Sequence, residues 1–256
     1  RTGYCSGMRT AKSAKRTRKI KFEIIPAEEN MDIAILSHVG AVRKNNEDAA
    51  LYREEEGIFL VADGMGGYTA GEIAAAMAAQ TVLTSLLEAE GEEPEEALRE
   101  AFYKANNMVF EKSRAISEYQ GMGTTLTLAW LKKAESQLYL AHVGDSRAYL
   151  VREGHISQLS QDHTLVADMV KKGELKAEQV KNHPQRHILT RALGNDPWLE
   201  VDIRKYDWQK GDSLLLCTDG LTNLVTDEEL LQVILAAENA KTATEKLLTM
   251  ALKRGG

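Results

Sequence analysis

Long apolar runs are missing from the sequence: nowhere do about 18 apolar residues follow one another without interruption, so neither a membrane span nor membrane association is expected. Cysteine is scarce. Cys5 and Cys217 lie far apart, which excludes a disulfide scaffold and fits a reducing, cytoplasmic setting. Several short signatures are absent as well. The dipeptide Gly-Lys never occurs, which removes the P-loop, and neither G-x-G-x-x-G nor G-x-S-x-G is present, which removes the usual dinucleotide and hydrolase-elbow readings. The residue six after Cys217 is Asn223 and the one six after Cys5 is Ala11, so neither thiol opens a Cys-x5-Arg loop.

What is present is enough apolar material, 43% of 256 residues, to build one large domain or two small ones. The formal charge of -6 conceals an asymmetry: residues 1–30 carry eight Lys and Arg against three Glu, and the remainder carries 24 basic against 35 acidic residues. The basic head shows no apolar periodicity and does not begin with Met. It is expected to be a non-native or fused leader, largely disordered, with a nucleic-acid arm or a transit peptide as rarer readings. The acidic body disfavours a nucleic-acid substrate.

The pivotal stretch is Ile58 to Gly67, IFLVADGMGG, an apolar run that ends in an aspartate and a glycine-rich turn. Such a run between glycines reads as a core strand. Asp63 therefore stands at a rigid strand end, where an unpaired carboxylate needs a partner, and a cation is the obvious one. Leu214 to Gly220, LLLCTDG, repeats the design with Asp219.

Around these, strands are predicted at 31–39, 49–53, 121–131, 137–143, 148–151, 155–159, 199–206 and 212–217. Helices are predicted over 70–90, 94–117, 227–237 and 242–253, with two short ones near 164–172 and 177–180 inside an irregular stretch, 160–198. The run from 121 to 159 reads as an antiparallel meander. Strands, two helices, strands and two helices are not strict βαβ alternation. They fit an α+β fold, an antiparallel β-sandwich with helical layers on its outer faces (α-β-β-α).

The acids at strand ends and turns are Asp63, Asp145 and Asp219, with Glu47 and Asp48 leading into a strand. Oxygen donors without accompanying Cys or His favour Mg²⁺ or Mn²⁺ over Zn²⁺. Two such ions can activate a water and clamp a phosphoryl group, so phosphoester hydrolysis is the natural reading. Each Asp taken singly has a bland alternative as a turn former.

GAVRKNNEDA, VADGMGG, GTTLT, HVGDSR and CTDGL, in this order, resemble the signature blocks of the protein phosphatase 2C family, the metal-dependent Ser/Thr phosphatases. The likeness spans residues 31–256 and is greatest for the compact bacterial type, whose flap carries DHT and LTRALG elements, here within 160–198. The resemblance implies that Asp63 bridges two ions of Mn²⁺ or Mg²⁺, that the Gly64 carbonyl binds one of them and that Asp219 holds the second. It implies further that Glu47 and Asp48 reach metal-bound water, that Arg43 grips the substrate phosphate and that Asp145 binds a third ion beside the flap. The substrates implied are phosphorylated proteins, targets of a Ser/Thr kinase, and a monomer is expected.

Two departures accompany it. Relatives close with a strand carrying a GG-x-DN-x-T block, and this sequence stops at Gly255-Gly256, so a truncated chain lacking one strand and one ligand is expected. A catalytically impaired phosphoprotein-binding or regulatory domain of the same fold is the second reading. The general acid is also open: animal relatives have His where Met65 stands, and many bacterial ones have it at Tyr68. His183 and His187 are four apart, but Pro184 argues against a helical metal pair, and a role in flap packing is expected. His142 and Cys217 read as structural, and Trp130, Trp198 and Trp208 as packing anchors.

Overall fold

The structure, a computed structural model, describes residues 23–24, 31–41, 43–66, 69–89 and 91–256. Its layering follows from alternation along the strand Ile58–Met65 (β3). Successive strand side chains face opposite ways. Ile58, Leu60 and Ala62 join a cluster with the first pair of helices, whereas Phe59 and Val61 join one shared with the second sheet. Asp63 continues the Phe59–Val61 series and so falls on the face between the sheets.

The larger sheet has the order β2-β3-β5-β6-β9, with β2 at Asp48–Arg53, β5 at Leu126–Lys132, β6 at Gln137–Val143 and β9 at Asp202–Asp207; β4, Gly123–Thr124, pairs with the end of β3. Helices α1 (Ala70–Glu88) and α2 (Pro94–Ala115) cover its outer face. By composition α1 is long and apolar enough to cross a membrane, yet its Ala-rich face is buried in this core cluster, as expected of a core helix. Pro94 starts α2, where the missing N–H costs no helical bond.

The smaller sheet has the order β1-β10-β7-β8, with β1 at Glu23–Ile24, β10 at Ser213–Cys217, β7 at Arg147–Arg152 and β8 at His155–Gln158. Tyr149, Val151, Leu215 and Cys217 pack against Leu230, Val233 and Leu247 of α6 (Asp227–Ala236) and α7 (Ala240–Lys253). Thr226 and Glu229 form a reciprocal cap at the start of α6. All pairings in both sheets are antiparallel, and the α-β-β-α sandwich is the observed fold.

Several local expectations are corrected. Residues 31–39 form no strand; β10 pairs instead with β7 on one edge and with Glu23–Ile24 on the other. Those two residues also carry backbone pairing into the stretch read as a leader; the rest of residues 1–30 lies outside the described residues. The strand expected at 121–131 is broken at Thr125 into β4 and β5. The expected meander is split, since β6 pairs with β5 and β9 whereas β7 pairs with β10 and β8; the chain changes sheet at the turn holding Asp145. The irregular stretch holds α3 (Leu165–Lys171) and α4 (Ala177–Val180), close to expectation, and a one-turn helix, α5 (Asp219–Thr222), was not foreseen. Trp130 and Trp208 are buried, but Trp198 is 86% exposed and anchors no packing.

Candidate metal and phosphate site

Asp48 and Asp63 are directly opposite each other in the β2–β3 ladder. Opposed residues of an antiparallel pair project on one face, so register sets these two carboxylates side by side. The backbone of Asp63 is fixed by threonines. Its N–H donates to Thr125 Oγ1 at 2.9 Å, and its carbonyl accepts from the Thr124 hydroxyl and the Thr125 N–H, both at 2.9 Å. Gly64 is glycine for want of room: a Cβ there would lie 2.0 Å from the Gly71 carbonyl oxygen and 2.7 Å from that of Glu47.

The smaller sheet supplies the opposite wall. Asp219 opens α5 directly after β10, and Asn223, one turn on, donates to its Oδ2 at 2.9 Å. Thr218 donates to Asp48 Oδ2 at 3.1 Å and so ties the two sheets together. Asp145 sits in the β6–β7 turn after Gly144, whose φ of +112° lies in the region open to glycine. Arg43 is largely exposed and lies 3.5 Å from Glu47.

These residues line adjoining hollows of about 600 and 590 Å³. Arg43, Glu47, Asp63 and Asp219 line both, Gly64 and Asp145 line one, and Asp48 lines the other. Every residue expected at the site is therefore gathered there. Gly255 and Gly256 reach its edge, where the Gly256 carbonyl accepts from the Ala41 N–H at 2.7 Å.

Gathering acids has an electrostatic cost. Burial, then the nearby Asp48, Asp219 and Asp145, push the Asp63 carboxyl well above its ordinary range. Burial also raises Asp48 to about 7 despite the Thr218 hydrogen bond, and burial with the neighbouring Asp219 and Asp162 raises Asp145 to about 7. Among the described residues, none of Asp48, Asp63 and Asp145 forms an ion pair with Lys, Arg or His. Nor do three acidic, His or Cys side chains close around a single point. The acids are spread along the floor and walls of the hollow. Carboxylate oxygens without a cationic side-chain partner fit hard divalent cations, which would offset the burial and the repulsion that raise these pKa values.

A family model described as protein phosphatase 2C matches residues 38–253. The chain belongs to the protein phosphatase 2C family. This phosphatase is 37% identical to the serine/threonine phosphatase stp of Listeria monocytogenes serovar 1/2a, over 85% of this chain and 88% of that protein. Among solved structures it is similar to the serine/threonine phosphatase PstP/Ppp of Mycobacterium tuberculosis, with a TM-score of 0.75 at 34% identity over 84% of this chain and 89% of the other. A structure of the PstP catalytic domain in complex with two manganese ions matches with a TM-score of 0.72 at 30% identity, over 91% and 94% of the two chains.

Two further residues line these hollows without a signal in the sequence, Asn223 and His187. Asn223 follows Asp219 by four, a spacing that carries meaning only once α5 is known to be helical. His187, expected to pack the flap, instead turns a half-exposed ring toward the cleft, with Nδ1 4.0 Å from Asp219 Oδ2. Tyr68 lies outside the described residues. Met65, which cannot donate a proton, lines one of the hollows.

Proposed function

We propose that this phosphatase hydrolyses phosphoserine and phosphothreonine esters on proteins in the hollow between Asp48, Asp63 and Asp219, using two divalent cations, Mn²⁺ or Mg²⁺. The observation that carries the reading is the Asp48–Asp63 register pair with Asp219 brought up from the other sheet. Bound cations supply an acidified water as nucleophile and charge to offset that on the phosphoryl oxygens.

The chain's own groups do the rest. Asp63 and Asp219, with the Gly64 carbonyl, would hold the cations, and Glu47 and Asp48 would orient water beside them. Arg43 has a guanidinium fork suited to two phosphoryl oxygens, and its loose 3.5 Å contact with Glu47 leaves it able to turn to substrate. Asp145, on the flap side, would take a further cation. The substrates are phosphoproteins made by Ser/Thr kinases, and the same proposal includes a monomer acting in the cytoplasm.

Asp63→Asn tests the reading. Mn²⁺-dependent turnover of p-nitrophenyl phosphate should fall to background, and calorimetric Mn²⁺ binding should weaken. Turnover like that of the unaltered chain would remove Asp63 from the metal centre and the proposal with it.

A further inference from the structure

Behind the acids lies a buried pair of imidazoles. His142 of β6 and His163, at the entry to the flap, have ring centroids 4.9 Å apart and are 1% and 5% exposed. Each reaches across to the other's segment. His142 Nε2 lies 3.0 Å from the Gln161 carbonyl, which can only accept, and its Nδ1 lies 2.8 Å from the Thr127 hydroxyl. The Gly144 N–H donates to His163 Nδ1 at 3.1 Å, and the His163 N–H donates back to the Gly144 carbonyl at 2.7 Å.

A peptide N–H only donates, so Nδ1 of His163 accepts, while Nε2 lies 3.4 Å from the Arg191 guanidinium. That nitrogen lies 3.5 Å from Asp202 Oδ2, whose other oxygen accepts from Arg191 at 3.0 Å. Burial holds both rings toward the neutral form. The His163 carbonyl accepts from the Thr190 N–H at 2.9 Å, and one residue on, Thr164 bridges to Leu189. His163 thus touches the turn that carries Asp145, the segment entering the flap and the segment leaving it.

We propose that His163 is a positioning residue that locks the Gly144–Asp145 turn and both roots of the flap into one unit through its reciprocal bonds with the Gly144 backbone. The consequence for phosphate chemistry rests on the function proposed above, with Asp145 in the metal site; the mechanical coupling does not. Displacing the flap moves Asp145, and fixing Asp145 steadies the flap.

Native-state hydrogen exchange on the full chain tests this without substrate, so it decides the coupling whether or not a phosphopeptide is turned over. In the unaltered protein the Gly144, Leu165 and Thr190 amides should open with one shared free energy. Asparagine can place an acceptor oxygen near the Nδ1 position, and glutamine carries it one bond further out. His163→Asn should therefore keep exchange at Gly144 within about threefold, and His163→Gln should speed all three amides together by about tenfold or more. Mn²⁺ alone should slow the three together in the unaltered chain and in His163→Asn, but not in His163→Gln. Faster exchange confined to Gly144, or equal losses in the two variants, overturns the proposal. If His163→Gln does not fold, the unaltered chain still decides: different opening energies at the three amides overturn it, and a common one supports it.

Discussion

The two sheets bring their acids to the same hollow by different means. On the larger sheet the means is register. Asp48 and Asp63 face each other across a continuous ladder, and Gly64 is pressed against two backbone carbonyls, so neither carboxylate can retreat. Beside the smaller sheet, Asp219 hangs from a one-turn helix and is held by Asn223, and Asp145 hangs from a turn that His163 holds at Gly144. There Arg147 forks onto Asp162 with contacts of 2.9 and 2.6 Å and also donates to Tyr149, whose hydroxyl donates to Asp227 at 3.0 Å. A ladder holds its acids cooperatively and cannot relax their repulsion. Bonds of the second kind each depend on a side chain that a single substitution removes.

Gly64→Ala should have the largest effect, because it attacks the rigid side where nothing can yield. A Cβ 2.0 Å from the Gly71 carbonyl oxygen forces the end of β3 away from the first turn of α1. We expect about 3 kcal/mol of lost stability, read in urea unfolding, together with lost Mn²⁺ binding. A loss below about 1 kcal/mol would show that the larger sheet is as adaptable as the smaller.

Arg147→Met should cost less, about 2 kcal/mol, between the small value of an exposed pair and that of a buried pair broken on one side, since both partners are only partly exposed. Limited proteolysis of the flap should accelerate while the tightest Mn²⁺ binding is kept. Loss of that binding would mean that the clamp on the smaller sheet also supports Asp63.

The smallest expected effect concerns charge on the rigid side. The Asp48 pKa, raised from 3.8 to about 7, means that the folded chain keeps a proton which the unfolded chain releases. Stability of the metal-free protein therefore falls as pH rises from about 4 to about 7, and Asp145 adds to the same window. Asp48→Asn keeps an acceptor for Thr218, so at pH 8 the metal-free variant should be more stable by about 1 kcal/mol while binding Mn²⁺ more weakly. Thermal unfolding in a chelator reads this, and a variant no more stable than the unaltered chain would show that the repulsion is relaxed elsewhere.

Much of this was legible in the sequence, for reasons visible in particular residues. The alternation of Ile58, Leu60 and Ala62 with Phe59 and Val61 determined a strand buried on both faces, and the Ala-rich periodicity of 70–88 determined a core helix. The glycines and acids of VADGMGG and CTDGL marked where carboxylates leave strands. Those patterns are local, so they survive in one dimension. What they could not state is pairing. That β6 and β7 part company at Asp145, that residues 31–39 join no ladder and that Trp198 stands out in solvent are decided by assembly and not by local pattern.

The sequence by itself determined the fold class, the set of acids and the cation chemistry that their oxygens favour, because periodicity and donor type are properties of residues. Only the tertiary structure decided that Asp48 stands opposite Asp63, that Thr218 joins the two sheets through Asp48, that His187 and Asn223 belong to the cleft and that His163 touches both roots of the flap. Each of these is a contact between segments far apart in the chain, set by strand register and sheet packing.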